Sequence, residues 1–159
     1  MEKVDVVVVG AGLAGLSTAY FLAADGFEVL VVDRGEYPGS KNVSGGRLYL
    51  DPVRSFLPEL WHEAPLQRPV TKERLTVMGE QASTTVELTS QRLRQPPYHS
   101  YTVLRSRFDR WLAERAAERG AIIVPRYDVE DLRFDHGRVA GICAAGDQIG
   151  ADVVVAADG

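Results

Sequence analysis

The sequence predicts an α/β fold: a parallel sheet flanked by helices, crossed by an antiparallel β-meander and interrupted by a β-rich insertion. Three observations predict it. Val4 to Asp33 reads as a strand, a glycine turn, a helix and a second strand. A second helical pattern that starts near Arg105 runs into a short apolar strand, Ala121 to Val124. Beyond it, alternating segments around two turns lead to a last apolar run, Asp152 to Ala157.

The first stretch, VDVVVVGAGLAGLSTAYFLAADGFEVLVVD, carries the chemistry. Its valines end at Gly10, and Gly10, Gly12 and Gly15 form G-x-G-x-x-G at the mouth of a helix. Gly10 lets the chain turn off the strand, Gly12 removes the side chain that would hold a pyrophosphate away, and Gly15 lets helix and sheet approach closely. The helix then points unbonded N–H groups and its positive dipole end at the phosphates. Asp33 ends the second strand about 20 residues further on, where a carboxylate accepts hydrogen bonds from ribose hydroxyls. This is a Rossmann-like, adenine-dinucleotide-binding pattern. NAD, NADP and FAD all present the same pyrophosphate and ribose; the acid at 33 disfavours the 2′-phosphate of NADP, and Arg34 beside it is the feature that would suit one.

The first helix, Leu13 to Ala24, carries Leu16, Ala19, Tyr20 and Ala23 on one face and stops at Asp25-Gly26. Arg34 to Pro52 is rich in Gly, Ser and Pro and reads as ordered loop, where an NAD domain would continue with another helix and strand. If this loop lies over the cofactor, Gly45 and Gly46 let the backbone near a flat ring, and Ser44 or Asn42 can donate hydrogen bonds to it. Pro52 to Glu63 predicts a short helix with Phe56, Leu57, Leu60 and Trp61, and strands follow between Lys72 and Leu104, within an insertion at about 52–104. His62 and His99 have no accompanying Cys, Asp or His pattern and read as surface or packing residues.

Ser106 and Asp109 form an S-x-x-D capping pair for the second helix, whose apolar face is Phe108, Trp111, Leu112 and Ala116 and whose end is Gly120. Arg105, just ahead of it, is poorly placed for the helix dipole and calls for another partner, a cofactor phosphate or a nearby carboxylate. Ala121 to Val124 predicts a short buried parallel strand. Tyr127 to Phe134, Arg138 to Ala144 and Gln148 to Ala151 predict a three-stranded meander, with His136 serving its first turn. Asp152 to Ala157 then returns as a separate buried parallel strand that ends at Asp158 and Gly159.

With 159 residues, 45% hydrophobic and 25% charged, the composition is that of a globular domain. A net charge of −4 without a basic stripe gives no electrostatic case for nucleic acid. The single cysteine, Cys143, excludes an internal disulfide and any cysteine-based metal site from this chain alone; it reads as a small buried hydrophobe. Val4 to Val9 is too short for a leader or a membrane span, so the expected location is cytoplasmic, with peripheral contact at the inner face of the membrane left open. No constellation suggests an acid–base catalyst, and none suggests a metal site.

The G-x-G-x-x-G with Asp33, the R-x-x-F-D of Arg105 to Asp109, the meander and the terminal Ala157-Asp158-Gly159 resemble the FAD-binding part of the glutathione-reductase-type flavoproteins. More narrowly, Asp33 to Gly46 with Leu48-Tyr49, and Arg105 to Trp111, resemble the FixC-type electron-transfer-flavoprotein:quinone oxidoreductases. The resemblance implies FAD as cofactor, held by Gly10, Gly12 and Gly15 at the pyrophosphate, Asp33 at the ribose with Arg34 beside it, and Arg105 at the phosphates. It implies Val129 at adenine, Ser44, Gly45 and Gly46 near the flavin, and Asp158 and Gly159 beneath the cofactor. Asp33 stands where many relatives carry Glu. The implied partners are an electron-transfer flavoprotein, quinone and a ferredoxin-like protein. The alternatives are a geranylgeranyl-reductase-like enzyme acting on prenyl lipids and a dinucleotide-binding module without turnover. In the family the ADG is followed by a substrate domain, so residues 1–159 are expected to be an N-terminal fragment of a flavoprotein two to three times as long, with an unpaired edge or uncovered face at the last strand.

Overall fold

The computed structural model describes residues 3–55, 58 and 60–159. In chain order its elements are β1 (Lys3–Val9), α1 (Leu13–Ala24), β2 (Val29–Asp33), β3 (Gly45–Tyr49), β4 (Leu66–Pro69), β5 (Glu73–Met78), β6 (Ser83–Leu88) and the short α2 (Gln91–Arg94). There follow β7 (Ser100–Leu104), α3 (Arg105–Glu118), β8 (Ile122–Pro125), β9 (Val129–Asp135), β10 (Arg138–Ala144) and β11 (Asp147–Ala156). They form two compact units, Met1–Ser44 with Arg105–Gly159, and Gly45–Leu104.

The first unit is built on a six-stranded sheet in the order β8-β2-β1-β11-β10-β9. β1 runs parallel to β2 and to β11, with Val7 opposite Leu30 on one side and Val154 on the other. The central residues of β1 and β2 are apolar on both faces because both faces are covered there. Leu16, Ala19, Tyr20 and Ala23 of α1 are buried, as the helical pattern predicts, and α3 buries Phe108, Leu112, Ala113 and Ala116, with Trp111 only half-buried. On the opposite face Val7, Leu30 and Val32 pack with Ile142, Ala144 and Ala151 from β10 and β11. Each fully buried valine contributes about 2 kcal/mol of transfer free energy.

Several expectations are corrected. The third meander strand and the last parallel strand are one strand, β11: its first residues pair antiparallel with β10 and the rest parallel with β1. Gly150 and Ala151, which break the apolar pattern, are small residues at the changeover; Gly150 faces Gly141 on one side and Lys3 on the other. Both edges of β11 are therefore paired, and the exposure expected of the last strand is on its face, where Val153 stays half exposed. β8 is an edge strand with Ile122 half exposed, not a buried one. His136 sits at φ 47° in the turn between β9 and β10, in keeping with its predicted role. Cys143 is half-buried.

The second unit contains a three-stranded sheet, β3-β7-β4, and a two-stranded ribbon, β5-β6. β3 occupies part of the segment expected to be loop. Its glycines carry no strand propensity, and pairing with β7, from Gly45 opposite Leu104 to Tyr49 opposite Ser100, imposes the extended form. β4 and α2 carry no sequence signal of their own: β4 is fixed by β7, and α2 by the Ser90 hydroxyl, which accepts the Leu93 N–H at 3.3 Å. Of the helix expected at Pro52 to Glu63 the described residues contain only a 3-10 turn, Leu60–His62; Phe56 and Leu57 lie outside the described residues. His62 is exposed, whereas His99 does have a carboxylate partner, with Nδ1 2.9 Å from Asp51 Oδ2. The ribbon places Leu75, Val77, Val86 and Leu88 on one face, all more than half exposed.

Candidate functional site

Three glycines shape the end of β1, each for a different reason. Gly10 has φ 103°, and a Cβ there would meet Ala157 O at 2.5 Å. Gly15 meets the turn itself: a Cβ would collide with Gly10 O and press on Val8. Around Gly12 a Cβ would find nothing within 4 Å, so this position faces open space. Gly12 is the N-cap of α1, and no side chain caps the helix. Leu16 N–H is the first to bond inside the helix, to Gly12 O at 2.9 Å, so the N–H groups of Leu13, Ala14 and Gly15 have no intrahelical acceptor. Such an end attracts an anion.

Asp33 completes the turn. Its Oδ2 accepts the Ala11 N–H at 2.9 Å, its Oδ1 accepts the Gly35 N–H at 2.6 Å, and Lys41 Nζ lies 3.3 Å from Oδ1. Burial alone would raise this carboxyl, but the Ala11 and Gly35 N–H groups and the Lys41 ammonium outweigh it and hold it below the ordinary carboxylate value. A carboxylate that is ionised, oriented by backbone and still at a cavity wall is what ribose hydroxyls require.

Two cavities of about 290 and 350 Å3 share Gly10, Asp33, Lys41, Asp158 and Gly159 as lining residues. The first adds Arg34, Tyr127, Asp128 and Val129. The second adds the turn from Ala11 to Ala14, together with Gly39, Asn42 and Arg105. Gly10, Gly12, Asp33, Arg34, Arg105, Val129, Asp158 and Gly159 are thus gathered on these walls, with Gly15 beneath the turn. Ser44 is exposed in the first unit and lines neither cavity, and Gly45 and Gly46 belong to β3 in the second unit. There a Cβ on Gly45 would meet Val103 O at 2.7 Å, which accounts for that glycine through strand packing, while Gly46 faces open space.

Asp109 is the residue that sequence reasoning misassigned. α3 begins at Arg105, so Ser106 lies inside the helix and the S-x-x-D pair is not its cap. Asp109 is fully buried and takes Arg105 Nε at 2.9 Å, Arg105 Nη2 at 3.0 Å and Asn42 Nδ2 at 2.7 Å. Of the two partners proposed for Arg105, the carboxylate is therefore present, and the bidentate contact leaves the other terminal nitrogen of a side chain that also lines the cavity. Asn42, read as a donor to a ring, spends its amide on Asp109. An i, i+4 Arg–Asp spacing was visible in the sequence, but the burial of the acid was not. Lys41 was passed over because a lysine in a turn carries no periodic signal.

The sequence profile of the family described as FAD dependent oxidoreductase matches residues 5–91. The protein FixC of Escherichia coli K12 is 43% identical over 155 residues, 98% of this chain and 36% of its own length. A probable electron transfer flavoprotein-quinone oxidoreductase, YdiS, from the same strain is 39% identical over 99% of this chain and 37% of its own. Among solved structures, a geranylgeranyl bacteriochlorophyll reductase-like protein from Thermoplasma acidophilum superposes with a TM-score of 0.78 at 26% identity, covering 100% of this chain and 40% of that one. The chain thus spans a little over a third of the length of these curated relatives.

Proposed function

The chain belongs to the FAD-dependent oxidoreductase family, and on that premise we propose that it is the FAD-holding part of an enzyme that passes electrons from an electron-transfer flavoprotein to quinone. The observation that carries the cofactor assignment is the Asp33 carboxylate, ionised and oriented by two backbone N–H groups beside the uncapped N-terminus of α1. The donor and acceptor rest on 39–43% identity to FixC and YdiS.

In this reading Gly10, Gly12 and Gly15 admit the pyrophosphate to the helix end, and Arg105, steadied by Asp109, faces the phosphates. Asp33 accepts from the adenosine ribose with Arg34 alongside, the Val129 backbone meets adenine, and Asp158 and Gly159 floor the site. Bound FAD supplies the redox chemistry, by which quinone gains two electrons and two protons to become quinol. The residues themselves bind and orient; none is assigned a proton transfer. A ferredoxin-like protein completes the electron path. In the same reading the enzyme works in the cytoplasm and meets lipid-borne quinone at the membrane face. No helix among the described residues is long and apolar enough to cross a membrane.

The test uses these residues within a protein of the relatives' length. Reduced electron-transfer flavoprotein should be oxidised with stoichiometric quinol formation. A second reading, reduction of prenyl double bonds, is favoured by the 0.78 TM-score to the geranylgeranyl reductase-like protein. Prenyl-lipid reduction without oxidation of the flavoprotein donor would replace the first reading with the second.

A further inference from the structure

We propose that Lys41 is a cofactor-binding residue, a latch that pairs with Asp33 and turns to the pyrophosphate when the dinucleotide enters. This rests on the reading of the site as an FAD site. Lys41 lines both cavities, at the junction of the Asp33 side and the helix side. On the helix side the cations are Lys41 and Arg105. Arg105 is bound in bidentate fashion to the fully buried Asp109 and cannot leave it without stranding that charge. Lys41 is under no such constraint. Its side chain is half exposed, its ammonium is 3.3 Å from Asp33, longer than the usual charge-assisted contact, and Asp33 keeps the Ala11 and Gly35 N–H groups if it departs.

The loop is built to present this residue. Ser40 N–H bonds to Tyr37 O at 2.9 Å and Asn42 N–H to Gly39 O at 3.0 Å, closing turns on either side. Asn42 is tied to Asp109, and Gly39, at φ 86°, packs so closely on α3 that a Cβ would lie 3.0–3.1 Å from Asp109 and Ser106. The backbone of Lys41 is thereby fixed while its four-carbon stem remains free to swing. Its departure also uncovers Oδ1 of Asp33 as the ribose arrives. One ammonium therefore serves both ends of the ligand, neutralising the acid before binding and the phosphates after it.

The experiment compares wild type, Lys41→Met and Lys41→Arg for binding of FAD, ADP and adenosine by calorimetry at low and high KCl, with circular dichroism as the check on folding. The expected result is that Lys41→Met weakens FAD and ADP by about tenfold, the scale of a charged hydrogen bond, flattens their salt dependence and does not weaken adenosine. Lys41→Arg should restore most of the loss. Unchanged or tighter ADP binding by Lys41→Met, or an equal loss for adenosine, would overturn the latch while leaving the FAD site standing. A folded wild-type protein of the relatives' length that binds neither FAD nor ADP would instead remove the site assignment on which it rests.

Discussion

In the unit formed by Met1–Ser44 and Arg105–Gly159, Val7, Val8, Val29 and Val31 have no exposed surface, and its two key carboxylates are held by groups the fold itself supplies. In the Gly45–Leu104 unit, Leu75, Val77, Met78, Val86 and Leu88 are all more than half exposed, and the ribbon is tied by surface pairs such as Lys72 and Arg74 to Glu87. The difference teaches where order comes from. Asp33 takes two backbone N–H groups and Asp109 takes a bidentate arginine, so these side chains are placed before any ligand arrives. The ribbon is held by backbone pairing and by charges that water screens. A site whose geometry must be exact can be built in the first kind of region; the second kind can vary in sequence at little cost.

Substitutions break that contrast if it is wrong. The largest effect is expected from Arg105→Ala, which leaves Asp109 buried with Asn42 as its remaining side-chain partner; about 3 kcal/mol of folding stability should be lost in urea denaturation. Gly15→Ala, which forces a Cβ into the carbonyl of Gly10, should cost about 2 kcal/mol by the same measurement. Asp33→Ala is expected to weaken FAD by about 1.5 kcal/mol, roughly tenfold in Kd by flavin fluorescence. The smallest effect belongs to the ribbon: Val77→Thr or Val86→Thr should change stability by no more than about 0.5 kcal/mol. A ribbon substitution that matched Gly15→Ala would show that the ribbon face packs into a core.

The pH dependence sharpens the same contrast. Because the folded state holds the Asp33 carboxyl below its ordinary value, its contribution is present above that value and lost as pH falls through the folded one. Stability and FAD affinity should therefore be flat near neutrality and decline only below about pH 4, the ordinary carboxylate range. Asp33→Asn should remove Asp33's share of that decline, measured as the difference between the two titrations.

Legibility in the sequence depended on how local the order of each element is. α1, β1, β2 and Asp33 were readable because their order is local: valine runs, a glycine turn and a helical stripe lie within 31 residues, Lys3 to Asp33. β3 and β4 were not, since β7, far along the chain, makes them strands. The same holds for Asp51 with His99 and Asn42 with Asp109, pairs separated by 48 and 67 residues. The meander was legible from its turns, but its fusion with the last parallel strand was not, because Gly150 reads as a break and serves as a changeover. Of the residues that line the two cavities, those at the ends of β1 and β2 and at the helix starts were named from the sequence. The supporting acid at 109 and the lysine at 41 owe their places to tertiary packing.

The most direct test is titration of FAD with the purified chain, followed by flavin fluorescence and then displaced with ADP. The account predicts saturable quenching that ADP reverses, because the adenosine and pyrophosphate half is held at Asp33 and the start of α1. A folded chain that gives no saturable quenching, or quenching that ADP leaves untouched, would contradict it.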